Sequence, residues 1–166
     1  VPSGAPAATV PAAAPSQTTA TYGAWIHRCV KLPGDSGGQS CEIVQQVQAA
    51  QGGQVAALAT LAIGRAAPQQ PLMITAVLPV NVSFSAPASF GAEGGPVAEL
   101  RYVRCVAAAC FAAAPAPDAL LARLRDAGES GARVQYANAG EAAVAVPVSL
   151  NGFAQALDAL RGPARR

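Results

Sequence analysis

Four cysteines and one histidine are the side chains of this sequence best suited to chemistry. The cysteines fall in two local pairs, Cys29 with Cys41 and Cys105 with Cys110. An even count in local pairs suits an oxidising compartment. Four cysteines allow three connectivities. Local pairing is the reading adopted, because each pair can sit at the base of a hairpin. Loop entropy would then add ~3 kcal/mol for the longer loop and ~2 kcal/mol for the shorter. Four free buried thiols are the alternative. Zinc fits less well, since Cys-x11-Cys and Cys-x4-Cys are not the tight Cys-x2-Cys knuckles of zinc ribbons. His27 has no second histidine to join it, and a closed metal site takes several ligands. It reads as a satisfied or surface side chain titrating near neutral pH. The carboxylates Asp35, Glu42, Glu93, Glu99, Asp118, Asp126, Glu129, Glu141 and Asp158 are scattered, with no spaced pair for acid/base work. No metal and no cofactor are expected.

A second motif matches, letter for letter, the nucleophile loop of chymotrypsin-like serine proteases: Gly34-Asp35-Ser36-Gly37-Gly38. That chemistry needs a histidine within hydrogen-bond reach of the serine and a carboxylate behind it. Both lie far upstream in those proteases. Here thirty-five residues precede Ser36, and about twenty of them read as a lead-in without packing. The motif is therefore read as a turn in which Asp35 and Ser36 bond backbone groups, and Ser36 is not expected to be a nucleophile. No phosphate loop, dinucleotide fingerprint or Cys-x-x-Cys redox pair is present.

Composition narrows the classes further. Charged residues are 12% of the chain and the net charge is +2, with no basic run beyond Arg165 and Arg166. The electrostatic footprint of a nucleic-acid binder is missing. The most apolar stretch, residues 55–63, is too short to span a bilayer. The chain starts without Met and without a basic region followed by an apolar one, so a removed signal peptide and a trimmed chain both remain open. Aromatics are 5%, so the core must be built from Val, Leu, Ile and close-packed Ala, with Trp25 its largest piece.

The elements that would position these residues are short. Residues 1–21, rich in Ala and Pro, read as a flexible tether, and 163–166 as a disordered tail, leaving 22–162 as one domain. Structure is expected from Tyr22, with Trp25 and Cys29 on one strand face. Residues 31–40 are turn chemistry, and strands follow over about 41–47, 55–63 and 72–78. Gly52-Gly53 marks the turn between the first two. Val80, Val82 and Phe84 alternate beyond Pro79. Residues 85–96 read as loop with a turn at Gly94-Gly95. Leu100, Tyr102 and Val103 lead into Cys105. Two strands over 134–137 and 143–148 form a hairpin, with Pro147 at an edge or a strand end. Asp118 can cap one helix that ends at Gly128. Ser149 or Asn151 can cap another, carrying Phe153, Leu157 and Leu160 and stopped by Gly162 and Pro163. Many short strands with frequent turns and no strand–helix alternation predict a mainly β fold: an antiparallel sandwich, immunoglobulin-like or related, with two short helices in the C-terminal half.

The ordered features together resemble the invasion-associated locus B family of bacterial envelope proteins. The matching pieces are YGAWIHRC at 22–29, Cys41 leading into Val44-Gln45, and Pro71-Leu72 with Leu78-Pro79. They continue with YVRC at 102–105 before Cys110, VPVSLNGF at 146–153, and Ala156, Leu157 and Leu160. The family often has Gly where this chain has Asn81. The resemblance spans about residues 22–161. It implies a signal-directed periplasmic, outer-envelope or secreted protein with a β-sandwich fold, and the same local cysteine pairing. It also implies a part in entry into host cells, the role the family is named for. It offers no catalytic residues.

Three functions are weighed. The first is a non-enzymatic module that binds a protein or another envelope component through sheet edges and loops, those at 31–40 and 85–96 being the first candidates. The second is a carrier of a small apolar ligand or lipid in a cavity lined by Val80, Val82 and Phe84. The third is an enzyme of unrecognised type. The first is favoured, with no nucleic-acid partner, no transmembrane segment and no assigned oligomeric state.

Overall fold

A computed structural model describes residues 17–34, 38–51, 54–127 and 131–162. Ten strands form one antiparallel sheet in the order β1-β2-β3-β4-β5-β8-β7-β6-β9-β10. They are β1 (Gln17–Tyr22), β2 (Trp25–Lys31), β3 (Gln39–Gln51), β4 (Gln54–Arg65) and β5 (Met73–Leu78), followed by β6 (Ala88–Ala92), β7 (Val97–Val106), β8 (Ala109–Pro115), β9 (Ala132–Ala137) and β10 (Ala143–Val148). Two helices complete the chain, α1 (Asp118–Asp126) and α2 (Phe153–Arg161). The mainly β antiparallel fold with two C-terminal helices is as expected. No helix among the described residues is long and apolar enough to cross a membrane.

The two layers come from a single sheet because β7 changes partner along its length. Its first residues, 97–100, pair with β6, and residues 101–106 pair with β8. The register shifts between Tyr102 and Arg104, a bulge that bends the strand at the handover. Beyond this corner β6, β9 and β10 fold back so that β10 packs on β3. Side chains alternate accordingly. Ile74, Ala76 and Leu78 of β5, Ala88, Phe90 and Ala92 of β6, and Val146 and Val148 of β10 all point into one core. Val144 is packed against it from the same face. Pro147 lies on the terminal strand of the sheet, where its missing N–H costs no ladder bond.

The helices close the core from the side. Leu120, Leu121 and Leu124 of α1 are buried, as are Phe153, Ala156, Leu157 and Leu160 of α2. Arg125 ties the helices together through a bidentate ion pair with Asp158. Neither start is capped as expected. Pro117 holds the N-cap of α1, so Asp118 is the first helical residue and acts on the helix dipole rather than through a cap bond. Gly152 holds the N-cap of α2 in a left-handed conformation, and the Ser149 hydroxyl instead accepts from the Asn151 N–H. Gly152 is required there. A Cβ would meet the Tyr22 carbonyl oxygen at 2.1 Å, because this turn lies against the β1–β2 turn, where Ala24 N–H bonds the Asn151 carbonyl at 3.0 Å.

Several boundaries differ from expectation: β3 and β4 run longer than 41–47 and 55–63, and β8 answers to no expected strand. The chain pairs from Gln17 rather than Tyr22, so the tether loses its last residues to β1, and Gly23-Ala24 turns the chain into β2. The stretch 85–96 contains the buried strand β6. Its Ala, Ser and Gly are poor strand formers in isolation, and burial between β7 and β9 overrides that weakness. Pro79 does end β5, yet the alternation beyond it forms no strand. Val82 makes a single bridge to Asn138, while Val80 and Phe84 are 54% and 66% exposed. These three residues therefore do not line an enclosed cavity. Residues 1–16, the turn at Gly52-Gly53, the helix end at Gly128 and the tail 163–166 lie outside the described residues.

Candidate functional site

Among the described residues, the catalytic parts weighed from the sequence do not converge. Asp35, Ser36 and Gly37 lie outside the described residues, and the β2–β3 connection is closed by Leu32 N–H on the Gly38 carbonyl at 2.9 Å. Three carboxylates are held by arginines: Glu42 by Arg28 at 2.6 Å, Glu93 by Arg133 at 3.0 Å, and Asp158 by Arg125. The Arg125 guanidinium holds the Asp158 carboxyl below its ordinary value, chiefly through their hydrogen bond. Glu141 accepts a hydrogen bond from the Ser83 hydroxyl at 3.0 Å. These carboxylates serve surface pairing.

The cysteines form two cross-strand disulfides. Cys29 of β2 faces Cys41 of β3 with their Cα atoms 4.1 Å apart, and Cys105 of β7 faces Cys110 of β8 at 4.0 Å. The second pair flanks the two-residue turn Ala107-Ala108. Beside the first pair stands His27, with Nε2 3.7 Å from the Cys29 sulfur. Removal from water lowers the His27 pKa from its ordinary value.

The polar centre of the fold is Gln45, a buried residue between Ile43 and Val47 on the inward face of β3. Its amide donates to the Ser149 carbonyl at 2.9 Å and accepts from the Ser149 N–H at 3.0 Å. The Trp25 indole donates to the same carbonyl at 2.9 Å and packs edge-on against Phe153, with ring centroids 5.3 Å apart. One side-chain amide thus continues the ladder where β10 leaves it, and anchors the entry to α2. This set is structural.

The feature open to a partner lies at the β7 handover. Because β6 pairs only as far as Leu100, residues 101–106 have a neighbour on one side, β8, and no paired strand on the other among the described residues. A groove of about 580 Å³ runs along that edge, lined by Phe84 and Pro87 on one flank and by Glu99, Arg101, Tyr102, Val103 and Arg104 on the other. Phe84 leans on Tyr102 at 4.9 Å, and Arg104 lies over the Phe111 ring at 5.1 Å. Val103 and Val106 are 64% and 50% exposed. Tyr102 has a buried hydroxyl with no hydrogen-bond partner among the described residues, and burial raises its pKa, helped by neighbouring Tyr136. Neither Arg101 nor Arg104 has a carboxylate partner among the described residues. The sequence carried one sign of this site. Adjacent Tyr102 and Val103 break the period of two that a regular strand would keep, which is the mark of a bulge.

A family model described as "Invasion associated locus B (IalB) protein" matches residues 25–161. Among solved structures, invasion associated protein B from Bartonella henselae is similar, with a TM-score of 0.66 and 23% identity, over 86% of this chain and 95% of that one. At that identity the likeness is one of fold. No protein with a curated description matches the chain. The matched span runs from Trp25 at the start of β2 to Arg161 at the end of α2, and so contains both disulfides, the Gln45 anchor and the open edge of β7: this chain belongs to the invasion associated locus B family.

Proposed function

We propose that this protein is a non-enzymatic, exported envelope protein that works by contact, adding an extended acidic segment of a partner protein to the open edge of β7. The observation that carries this reading is the unpaired run 101–106 beside a half-apolar groove. An unpaired edge offers backbone N–H and C=O groups at strand spacing, which an extended chain satisfies, while alternate side chains fill the groove. Natural sheets usually protect such edges. Here Phe84, Val103 and Val106 leave apolar surface on show, and Arg101 and Arg104 supply positive charge with one carboxylate, Glu99, near them. That charge favours Asp or Glu in the incoming strand. Two disulfides support placement outside the cytoplasm, in the periplasm, outer envelope or medium. Part of any role in host-cell entry would be carried by the same contact. The groove suits a carrier of a small apolar ligand less well, because Phe84 is 66% exposed and would leave such a ligand half in water.

The proposed contact surface therefore keeps only the start of the stretch 85–96, whose centre is buried, and adds Phe84 and residues 101–106, while the loop at 31–40 contains residues 35–37, which lie outside the described residues. The test is selection of displayed random dodecapeptides on the purified, oxidised protein. Selected sequences are expected to alternate apolar and acidic residues. Their affinity should fall at least tenfold, about 1.4 kcal/mol, in the double variant Arg101→Glu/Arg104→Glu. Backbone amide shifts on binding should cluster at 101–106. Peptides that bind the double variant equally well would refute the site, and saturable turnover of any metabolite would refute the non-enzymatic reading.

A further inference from the structure

Three side chains that ligate soft metals meet at the pairing of β2 and β3. His27 and Cys29 are two residues apart on β2 and so share a strand face. Cys41 on β3 is the direct cross-strand partner of Cys29. The ligating atoms of His27, Cys29 and Cys41 all lie within 4.8 Å of one another. Cys29 is buried, whereas His27 and Cys41 are half-exposed, and Cys41 borders a small cavity of about 200 Å³ with Gln39, Arg65, Pro68 and Arg161. The other disulfide gives an internal comparison. Cys105 and Cys110 are also a cross-strand pair, but the one cluster of three such ligands among the described residues is at Cys29.

Sulfurs joined to each other carry no charge and bind metal poorly, so the cluster is closed to metal as it stands. A dithiol reductant changes this. It breaks the S–S bond by supplying two electrons and two protons, leaving two cysteine thiols and a cyclic disulfide of the reductant. A zinc ion then displaces both thiol protons to solvent as two thiolates bind it. Zinc needs the sulfurs about 3.8 Å apart, given Zn–S bonds of about 2.3 Å in a tetrahedron. Opening from the bonded sulfurs to that spacing asks for a side-chain rotation, and Cys41 is the less buried of the two cysteines. The framework does not depend on the S–S bond alone, since β2 and β3 pair from Ile26↔Val44 to Lys31↔Gln39.

We propose that reduction of the Cys29–Cys41 disulfide opens a zinc site made of two thiolates and the His27 imidazole, with the fourth position left to water or a small anion. Two thiolates balance the ion's charge, so Arg65 and Arg161 do not oppose it and instead favour an anion at the open position. Cysteine spacing along the chain did not point here, because the ligands are brought together by a strand pair and not by a knuckle.

The test uses the full chain carrying Cys105→Ser/Cys110→Ser, reduced and freed of reductant without oxygen, with the native chain reduced in the same way as a second sample. Zinc uptake is read by competition with a coloured chelator, and cobalt is used in parallel for its absorption spectrum. The reduced forms are expected to bind one zinc tightly and to give a tetrahedral cobalt spectrum with thiolate-to-metal bands. The oxidised forms should take up none at this position. His27→Ala should weaken zinc binding at least tenfold while leaving the circular dichroism of the oxidised protein unchanged. Cys29→Ser/Cys41→Ser should abolish the thiolate bands. Failure of the reduced chains to bind zinc would overturn the proposal, as would equal affinity in His27→Ala. So would reduced chains that unfold and that zinc does not refold.

Discussion

At the scale of single residues, Gln45 and His27 show how much depends on one polar group at an inward position. Gln45 sits where β3 alternation demands an apolar side chain, and it is kept because its amide completes two hydrogen bonds to the Ser149 backbone. Gln45→Ala removes both hydrogen bonds of a buried amide to the Ser149 backbone and weakens the hold on the α2 entry. We expect a loss of about 1–3 kcal/mol in stability, read as a lower urea midpoint at unchanged slope. An unaltered midpoint would show that water replaces the amide. His27 is predicted to make stability pH-dependent. Its desolvation lowers the folded pKa below the ordinary value of 6.5. The unfolded chain therefore takes up the proton first as pH falls, so the contribution is complete above about pH 6.5 and is lost as pH drops through the folded value. Melting temperatures measured from pH 8 to pH 5 should decline on the acid side, and the decline should be shallower in His27→Gln. Parallel curves would assign it to other groups. Asp158, whose carboxyl is lowered from 3.8 by Arg125, acts in the opposite direction of charge but with the same sign in stability, and only at lower pH.

At the scale of elements, both disulfides join residues directly opposite each other on paired strands, and each closes a short loop. Non-reducing peptide mapping should recover Cys29 with Cys41 and Cys105 with Cys110; cross-linked fragments joining the two sets would contradict this. The sequence separations are 12 and 5 residues. Loop entropy then predicts a cost of about 3 kcal/mol for Cys29→Ala/Cys41→Ala and about 2 kcal/mol for Cys105→Ala/Cys110→Ala, measured by chemical denaturation. The reverse order would mean that packing at Cys110, which is buried, outweighs the loop term. The same scale explains why α2 was legible and β6 was not. Phe153, Leu157 and Leu160 recur with helical spacing, and all three are buried. The β6 sequence ASFGA offers one large apolar residue, Phe90, and a Gly, so nothing local distinguishes it from the loop around it. It is a strand because β7 and β9 pair with its two edges.

At the scale of the whole molecule, the handover of β7 from β6 to β8 folds one sheet into two layers and leaves the open edge at its corner. The groove follows from the topology, and its charge is local, since the chain as a whole carries only +2. Binding of the acidic peptides selected on this edge is accordingly expected to weaken with added salt, through Arg101 and Arg104, and the salt dependence should largely vanish in the charge-reversed variant. An equal dependence in both proteins would place the contact elsewhere. The strands β1, β6 and β8 could not be read from the chain, whereas the mainly β class with two helices near the C-terminal end, the inward faces at Trp25, Cys29, Val144, Val146 and Val148, the Gly94-Gly95 turn and the edge position of Pro147 could. Each follows from short-range causes: side-chain periodicity, turn residues and the missing proline N–H. The family, too, could be read from the order of motifs. What the chain alone did not determine is what comes together across it. The bond from Gln45 to Ser149 spans 104 residues. The groove joins residues 84–87 to 99–105, and His27 reaches the second cysteine of its cluster only through strand pairing. Periodicity assigns each of these residues a face but no neighbour, because neighbours are set by sheet order and register, and those are decided when the whole core closes.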